Sequence, residues 1–289
     1  MTLLWDNIRF ALMAIWANRV RTLLTMLGII IGVFSVITLV SIGNGVQKEF
    51  TGAVQSFGAS FGAVISGDLE NGGNPSSFVS LSSLTMHDVD VIATVPTVRR
   101  VAPMMIVPGT VTTPGRAPTL PMVVATNDAL GDIANLTIRT GRSFDASDIA
   151  ERRRVILVGQ DAAASDFTGD PLGQQVTILD TAFDIVGVFG TDNALYGGEG
   201  FLGNSAPNMN AAYVVPITTT EELIETLNIF RILFAFEQPE DVRAGVDAIE
   251  QRILENHKGI KDFTVLTSDD LLELFDQFFG ILTDAVAGI

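Results

Sequence analysis

The sequence predicts an α+β fold in which one N-terminal transmembrane helix precedes a large extracytoplasmic domain of mixed strands and helices. Three observations support this prediction. A run of residues near the N-terminus carries no charge, basic residues precede this run while the remainder is acidic, and short strand and helix patterns alternate irregularly afterwards. A membrane anchor with an exterior mixed domain is the arrangement that satisfies all three.

The composition limits the class of protein. The 289 residues include 17 Lys and Arg against 33 Asp and Glu, which gives a net charge of −16. Charged residues make up 17%, below the ~25% typical of soluble proteins, and the mean hydropathy of +0.39 excludes a disordered chain. The acidic charge argues against a nucleic-acid partner, which needs clustered Lys and Arg. With no cysteine, disulfides and thiolate chemistry are excluded, and the presence of only two histidines, His87 and His257, leaves little material for metal or acid–base chemistry.

The uncharged run extends over 21 residues, from Thr22 to Ile42. As a helix it spans about 31 Å, which matches a hydrocarbon core of ~30 Å. Residues 1–21 hold three Arg and one acid, whereas the rest holds 14 basic and 32 acidic residues. This asymmetry predicts a cytoplasmic N-terminus and an exterior main domain. A cleaved signal peptide is the alternative, but its apolar core is shorter and residues 41–45 form a poor cleavage site, so we favour a retained anchor.

Residues 1–21 are predicted to form an amphipathic helix on the cytoplasmic leaflet. Trp5 and Trp16 lie about three turns apart and flank its apolar face, where indole rings favour the headgroup level. The alternative is a helix packed in a protein core. The apolar face consists of Leu4, Ile8, Ala11, Leu12 and Ile15. The candidate topology and interface anchors are Trp5, Arg9, Trp16, Arg19 and Arg21.

Gly28 and Gly32 form a GxxxG pattern inside the uncharged run. This spacing lets two membrane helices approach closely. Because membrane helices are generally rich in glycine, the pattern alone does not establish a contact. Gly28 and Gly32 are therefore candidate helix-packing residues.

The rest of the chain predicts a series of short elements, taken here in order. A helix continues to about Phe57, and Thr85 opens a capped helix that Pro96 ends. Gly-, Ser- or Asn-rich loops are expected at 67–83 and 190–210, and a Pro/Gly-rich hairpin or linker at 108–121. Strands are expected at 63–66, 122–125, 155–158, 175–179, 183–189, 213–217, 231–236 and 263–266. Further helices are expected at 220–228, at 239–257 and after the capping sequence Thr267-Ser268-Asp269-Asp270.

Two stretches resemble a known family. The first is NRVRTLLTMLGIIIGV, from Asn18 to Val33. The second consists of Gly141-Arg142-Ser143-Phe144, Asp148, Val155, Gly169-Asp170-Pro171-Leu172-Gly173-Gln174, Phe183-Asp184-Ile185-Val186-Gly187-Val188 and Tyr213-Val214-Val215-Pro216. In this order they resemble the MacB-type ABC-transporter permeases with their periplasmic core domain.

The resemblance implies a dimeric ABC permease with four membrane helices per protomer and an exterior domain between the first two. It also implies a β-rich lobe inserted in that domain, which we expect near residues 108–211. We expect the transmembrane helix at 22–42, the exterior domain at 43–274 and the start of a second membrane helix at 275–289. The sequence departs from the family because the remaining three helices are absent from it.

Three catalytic motifs are weak or absent. Gly58-Ala59-Ser60-Phe61-Gly62 matches a nucleophile elbow but follows a helical pattern, whereas the elbow needs a preceding strand. The GxGxxG match at 198–203 leads into a loop instead of a helix. None of the three lysines follows a glycine, so the chain lacks a P-loop. We therefore expect no catalytic residue, no cofactor and no metal.

The leading hypothesis is a non-catalytic permease subunit in a bacterial or archaeal cell membrane. It would couple ATP hydrolysis by a separate cytoplasmic ATPase to movement of its exterior domain for export or extraction of a substrate. The expected partners are an ABC ATPase subunit, a second permease protomer and the lipid bilayer, with a periplasmic adaptor left open. The alternative is a membrane-anchored interaction or regulatory module without transport. A hydrolase that uses Ser60 is a third hypothesis.

Overall fold

The computed structural model describes residues 5, 9, 13, 15–58, 60–67, 82–192, 208–224 and 227–287. The chain divides into two compact units, one formed by residues 1–48 and 275–289 and the other by residues 49–274. The loops expected at 67–83 and 190–210 and the GxGxxG match lie largely or wholly outside the described residues.

Helix α1, Arg19–Gln55, carries the uncharged run and extends well beyond it. It follows a turn at Asn18, and residues 15–17 before that turn are also helical. In the described part of the chain, α1 is the one helix that is long and apolar enough to cross a membrane, judged by length and composition alone. The predicted span is therefore part of a longer, uninterrupted helix.

The second unit is built on one mixed sheet of 11 strands. The strands are β1 (Phe61–Ser66), β2 (Val98–Ile106), β3 (Val111–Thr112), β4 (Val123–Thr126), β5 (Thr137–Gly141), β6 (Val155–Gly159), β7 (Gln175–Ile178), β8 (Thr181–Gly190), β9 (Tyr213–Pro216), β10 (Ile229–Phe236) and β11 (Phe263–Thr267). Their order is β11-β1-β10-β2-β4-β9-β6-β8-β7-β3, and β5 pairs with β8. The β4–β9 and β6–β8 pairs are parallel, whereas the other pairs are antiparallel. This mixed sheet confirms the predicted α+β class.

Helices accompany the sheet in the second unit. They are α2 (Met86–Ala93), α3 (Ala129–Ile133), α4 (Ala146–Ala150), α5 (Gln160–Asp166), α6 (Ile217–Thr220) and α7 (Val242–Asn256). The last helix, α8 (Ser268–Ala287), follows β11. Short 3-10 helices occupy Met209–Ala211 and Pro239–Asp241. One core joins α2 and α7 to β1, β10 and β11 around Ile92, Phe234 and Ile249. A second lies on the β6–β9 part of the sheet and includes Phe183 and Tyr213.

The N-terminal caps that the sequence predicts for two helices are confirmed. Thr85 caps α2, and its hydroxyl and the Asp88 carboxylate each accept a hydrogen bond from the other residue's backbone N–H. The same reciprocal arrangement between Thr267 and Asp270 opens α8. These caps depend only on residues three positions apart, which is why the sequence predicts them correctly.

Several elements differ from the sequence prediction, which lacks strand β5 and helices α3, α4 and α5 altogether. Strand β2 is not predicted, because Pro103 and a pair of arginines interrupt its pattern. Its neighbour β4 pairs only with Met105 and Ile106, so Pro103 lies outside the stretch that has strands on both sides. The helix predicted at 220–228 is wrong, because the helix is Ile217–Thr220 and follows directly after β9.

Candidate functional site

Helix α1 presents an apolar surface over the length of the predicted span. Every described position from Leu23 to Ile37 is exposed. A contiguous apolar surface of this size is unfavourable in water and marks a membrane or an interaction site. The largest exposed side chains include Leu23, Leu24, Met26, Ile29, Ile30, Phe34 and Ile37.

The sequence-predicted site residues all lie on exposed parts of the first unit. Trp5 and Trp16 are 72% and 79% exposed, and Arg9, Arg19 and Arg21 are exposed as well. Gly28 and Gly32 lie on α1, and no described atom lies within 4 Å of the position that a Cβ would take at either residue. These seven residues remain candidates for contact with lipid or with another helix.

Further along α1, helix α8 packs against it. The Gln47 Nε2 donates a hydrogen bond of 2.7 Å to Asp276 Oδ1. Phe279 places two ring carbons 3.8 Å from the position that a Cβ would take at Gly43. The rings of Phe275 and Phe279 are in contact, with centroids 4.6 Å apart and planes tilted by 32°. Sequence reasoning missed Gly43, Gln47 and Asp276, because their contacts join residues more than two hundred positions apart.

In the second unit, two glycines of the family-like motifs permit a close approach of β5 and β8. At Gly141, where φ is +77°, a Cβ would lie 2.3 Å from the Val186 carbonyl oxygen. At Gly187 a Cβ would lie 2.2 Å from the Arg142 carbonyl oxygen. Any side chain at either position would force the two backbones apart, so the contact requires glycine at both.

Next to this contact, the buried carboxylate of Asp148 binds residues that lie before and after helix α4. It is fully buried and accepts hydrogen bonds from Arg142 and Arg153 and from the backbone N–H of Asp145. The Arg142 guanidinium and that N–H outweigh the opposing effect of burial and lower the pKa of Asp148. The contacts of Asp148 with Arg142 and Arg153 therefore hold the segment between β5 and β6 in place.

His257 lies in a second polar network, between α2 and α7. Its ring nitrogens lie 2.5 Å from Asp262 Oδ1 and 3.2 Å from Asp88 Oδ2, and its side chain is 8% exposed. Burial lowers the pKa of His257, but the bonds to the two carboxylates outweigh it and leave the pKa raised. Asn256 donates to the other oxygen of Asp88. The network holds α2, α7 and β11 together.

Ser60 lies in a setting unlike that of a nucleophile elbow. It follows helix α1 and precedes strand β1, whereas the elbow places the serine between a strand and a helix. Its backbone carbonyl accepts a hydrogen bond from the Phe236 N–H. In the part of the chain that the structure describes, no His or carboxylate hydrogen-bonds its hydroxyl.

Comparison with protein families matches residues 22–252 to the MacB-like periplasmic core domain. The chain is 26% identical to the macrolide export ATP-binding/permease protein MacB of Acinetobacter baylyi, over 98% of this chain and 41% of that protein. It is 27% identical to the pyoverdine export ATP-binding/permease protein PvdT of Pseudomonas fluorescens, over 93% of this chain and 39% of that protein. The chain thus spans about two fifths of the length of these relatives.

Two solved structures share the fold. The periplasmic region of MacB from Actinobacillus actinomycetemcomitans matches with a TM-score of 0.62 at 16% identity, over 76% of this chain and 94% of that one. The extracellular domain of the ABC-type transporter YknZ from Gram-positive bacteria matches with a TM-score of 0.55 at 15% identity, over 72% of this chain and all of that one. At these identities, the two structures show a common fold only.

Proposed function

Since the chain belongs to the family of MacB-like periplasmic core domains, we propose that it is the permease part of an ABC transporter. In this role it converts ATP-driven motion at the membrane into movement of the extracytoplasmic domain, which exports or extracts a substrate. Macrolide and pyoverdine export appear in the names of the relatives. The substrate of this chain is therefore best sought by testing several chemical classes, namely drugs, peptides, lipids and lipoproteins.

One observation carries the proposal, namely the continuity of α1. The helix begins with the apolar span and continues to Gln55, within the residues matched to the family domain. No proline interrupts the sequence from Arg19 to Gln55. A helix held by successive i to i−4 hydrogen bonds resists bending, so it can transmit displacement along its axis.

The proposed orientation places the N-terminus in the cytoplasm. Arg9, Arg19 and Arg21 precede the span, and arginines flanking a membrane helix favour the cytoplasmic side. The exposed rings of Trp5 and Trp16 suit the headgroup level of that leaflet. The main domain, the expected β-rich lobe at 108–211 included, would then lie outside.

The proposed partners follow from the same reasoning. The names of the relatives combine ATP-binding with permease, whereas this chain has no P-loop lysine. We infer that an ABC ATPase, either a separate subunit or another part of the same polypeptide, supplies the motor. A second permease protomer completes the transporter, and an adaptor in the periplasm remains an additional candidate partner.

Substitution of a residue in α1 by proline tests the proposal. Gly45 lies in the helix with no described atom within 4 Å of its Cβ position, so its replacement disturbs no neighbour. Gly45→Pro removes a helical hydrogen bond and kinks the helix, at a cost of ~3 kcal/mol, whereas Gly45→Ala keeps the helix straight. The transporter is reconstituted with its ATPase, and substrate-stimulated ATP hydrolysis and substrate export are measured.

We expect Gly45→Pro to insert in the membrane normally and to lose export and substrate-stimulated hydrolysis, while Gly45→Ala retains both. Equal export by the two variants would contradict transmission through α1. Failure of the parent chain to associate with any ABC ATPase would instead favour the membrane-anchored interaction module.

A further inference from the structure

The sheet of the second unit splits between β2 and β4. Strand β4 pairs with β2 only at Met105 and Ile106, and it ends at Thr126. Strand β2 begins at Val98 and pairs with β10 along its other edge. A cleft of about 340 Å³ opens where the two strands separate, and this volume lies at the lower end of the range for small-ligand sites. One wall of the cleft is therefore the uncovered edge of β2.

The cleft lies at the carboxyl ends of two adjacent parallel strands. Strands β4 and β9 pair in parallel up to Thr126 and Pro216, and helices α3 and α6 follow them. Asn127 and Thr218, which come shortly after these strand ends, line the cleft. In open sheets, ligands bind in the crevice outside the carboxyl ends of parallel strands. The position of the cleft is thus typical of a ligand site.

The uncovered edge of β2 carries backbone groups that a peptide can bind. The Val101 carbonyl oxygen accepts a hydrogen bond of 2.9 Å from Asn127 Nδ2. Since backbone groups in a strand alternate between its two edges, the Val101 N–H and the Pro103 carbonyl oxygen also face the cleft. Neither group has a hydrogen-bond partner within the described part of the chain. Both residues are buried, so these backbone groups require a partner.

The side chains around the cleft are largely apolar. They come from helices α2, α4 and α6 as well as from β2, so apolar surface lies on more than one side. Since successive side chains of an extended peptide point in opposite directions, every second one would enter this apolar space. The lining includes Met86, Val89, Val98, Val101, Ile149 and Ile217.

The charges in the cleft also suit a peptide. Arg100 is paired with Asp128 and Asp132. Arg99 and Asp90 line the cleft as well, and neither forms an ion pair or hydrogen bond with any residue that the structure describes. A free peptide carries a carboxylate at one end and an ammonium group at the other. These two groups complement Arg99 and Asp90.

We infer that this cleft binds a short, free peptide with apolar side chains. The peptide adds as a strand to β2 through the Val101 N–H and the Pro103 carbonyl oxygen, and its carboxylate pairs with Arg99. The edge from Arg99 to Pro103 measures about 13 Å at ~3.3 Å per residue, which corresponds to a peptide of about five residues. This binding goes beyond the proposed transport function and does not depend on it.

Calorimetric titration of the full chain in lipid nanodiscs tests the inference. The probe is the pentapeptide Val-Ala-Val-Ala-Val with free termini. Two matched peptides carry N-methyl groups on alternate backbone nitrogens, one at the even-numbered residues and the other at the odd-numbered residues after the first. We expect saturable binding of the unmethylated peptide and of one methylated peptide. The other should bind at least ~10-fold more weakly, because methyl groups facing β2 remove the donor to Pro103 and separate the strands.

Variants of the chain locate the binding site. Ala93 is exposed and lines the cleft, so Ala93→Trp should block the cleft and abolish binding. The matched control is Ala244→Trp, at an exposed position of α7, which should bind like the parent. Arg99→Gln should weaken binding of the free peptide ~10-fold and leave binding of its C-terminal amide unchanged, since the amide lacks the negative charge. Melting temperatures verify that the variants are folded.

Three results would overturn the inference. They are the absence of saturable binding by the unmethylated peptide, parental affinity in Ala93→Trp, and equal affinities for the two methylated peptides. Equal affinity for a peptide with acetyl and amide caps would overturn the assignment to a free peptide and favour a segment of a partner protein. The titrations contain no ATP and no ATPase, so their outcome is separate from the loss of export expected for Gly45→Pro.

Discussion

Replacement of Gly245 by alanine should destabilise the second unit, although alanine favours helices. Gly245 lies where α7 crosses β10, and a Cβ there would lie 2.1 Å from Cε1 and 2.7 Å from Cζ of Phe236. The Phe236 ring is 1% exposed and packs edge-on against Phe234, so it cannot move aside without disturbing the core. Alanine at this position therefore overpacks a well-filled site.

The magnitude follows from two opposing contributions. Overpacking of a core costs ~1–3 kcal/mol, and contacts this short favour the upper value of ~3 kcal/mol. The better helix propensity of alanine offsets ~1 kcal/mol. The net loss is ~2 kcal/mol in the free energy of unfolding, which lowers the melting temperature by ~4–8 °C for a domain of this size.

Gly52→Ala is the matched control. Gly52 is an exposed helical position in α1 with no described atom within 4 Å of its Cβ position, so only the propensity gain of ~1 kcal/mol applies. Thermal unfolding of the full chain in detergent is followed by far-UV circular dichroism. Adding Phe236→Leu to Gly245→Ala should recover part of the loss, since a smaller side chain relieves the contact.

If Gly245→Ala is as stable as the parent chain while Gly52→Ala gains stability, the steric reasoning is refuted. The same holds if Phe236→Leu and Gly245→Ala are strictly additive, because the two residues would then not be in contact.

The remaining predictions concern charge. Because the pKa of His257 is raised, the stability contributed by its network is fully present below pH ~6.5 and is lost as pH rises through the raised pKa; unfolding titrations should show that His257→Gln removes this pH dependence. Asp148→Ala should lower the free energy of unfolding by ~2–3 kcal/mol, because hydrogen bonds to a charged group and a helix cap are lost. The control Glu151→Ala breaks only an exposed ion pair with Arg153, so it should lower that free energy by less than ~1 kcal/mol. Since the pKa of Asp148 is lowered, its contribution should persist above pH ~4 and be lost on further acidification. Joint replacement of Arg9, Arg19 and Arg21 by Gln should reduce the fraction of chains whose exposed Lys258→Cys is labelled by an impermeant maleimide from outside; unchanged labelling would contradict the proposed orientation.

The sequence by itself determines the features that depend on neighbouring residues. Absence of charge from Thr22 to Ile42 identifies the apolar segment, because transfer of a helix to lipid depends on its own side chains. The caps at Thr85 and Thr267 are equally local, and both helices begin where the sequence indicates. The α+β class follows from such local patterns and is confirmed by the mixed sheet.

The tertiary structure decides what depends on distant partners. Strand β2 forms despite Pro103, because pairing with β10 along most of its length stabilises it. Helix α6 starts at Ile217, where the Thr218 and Thr219 hydroxyls donate to the carbonyl oxygens of Ile149 and Arg153. No local pattern at residues 217–220 contains that information.

The same limit applies to the candidate site. Gly28 and Gly32 are recognisable from spacing alone, but Gly43 and Gln47 gain their meaning only from Phe279 and Asp276. Likewise, His257 is an ordinary helix-end residue in the sequence, and folding places it between two carboxylates, one of them 169 positions away. A sequence pattern predicts the structure of residues that are close together in the chain. The burial of a side chain and its hydrogen-bond and packing partners depend instead on which distant segments come into contact once the chain has folded.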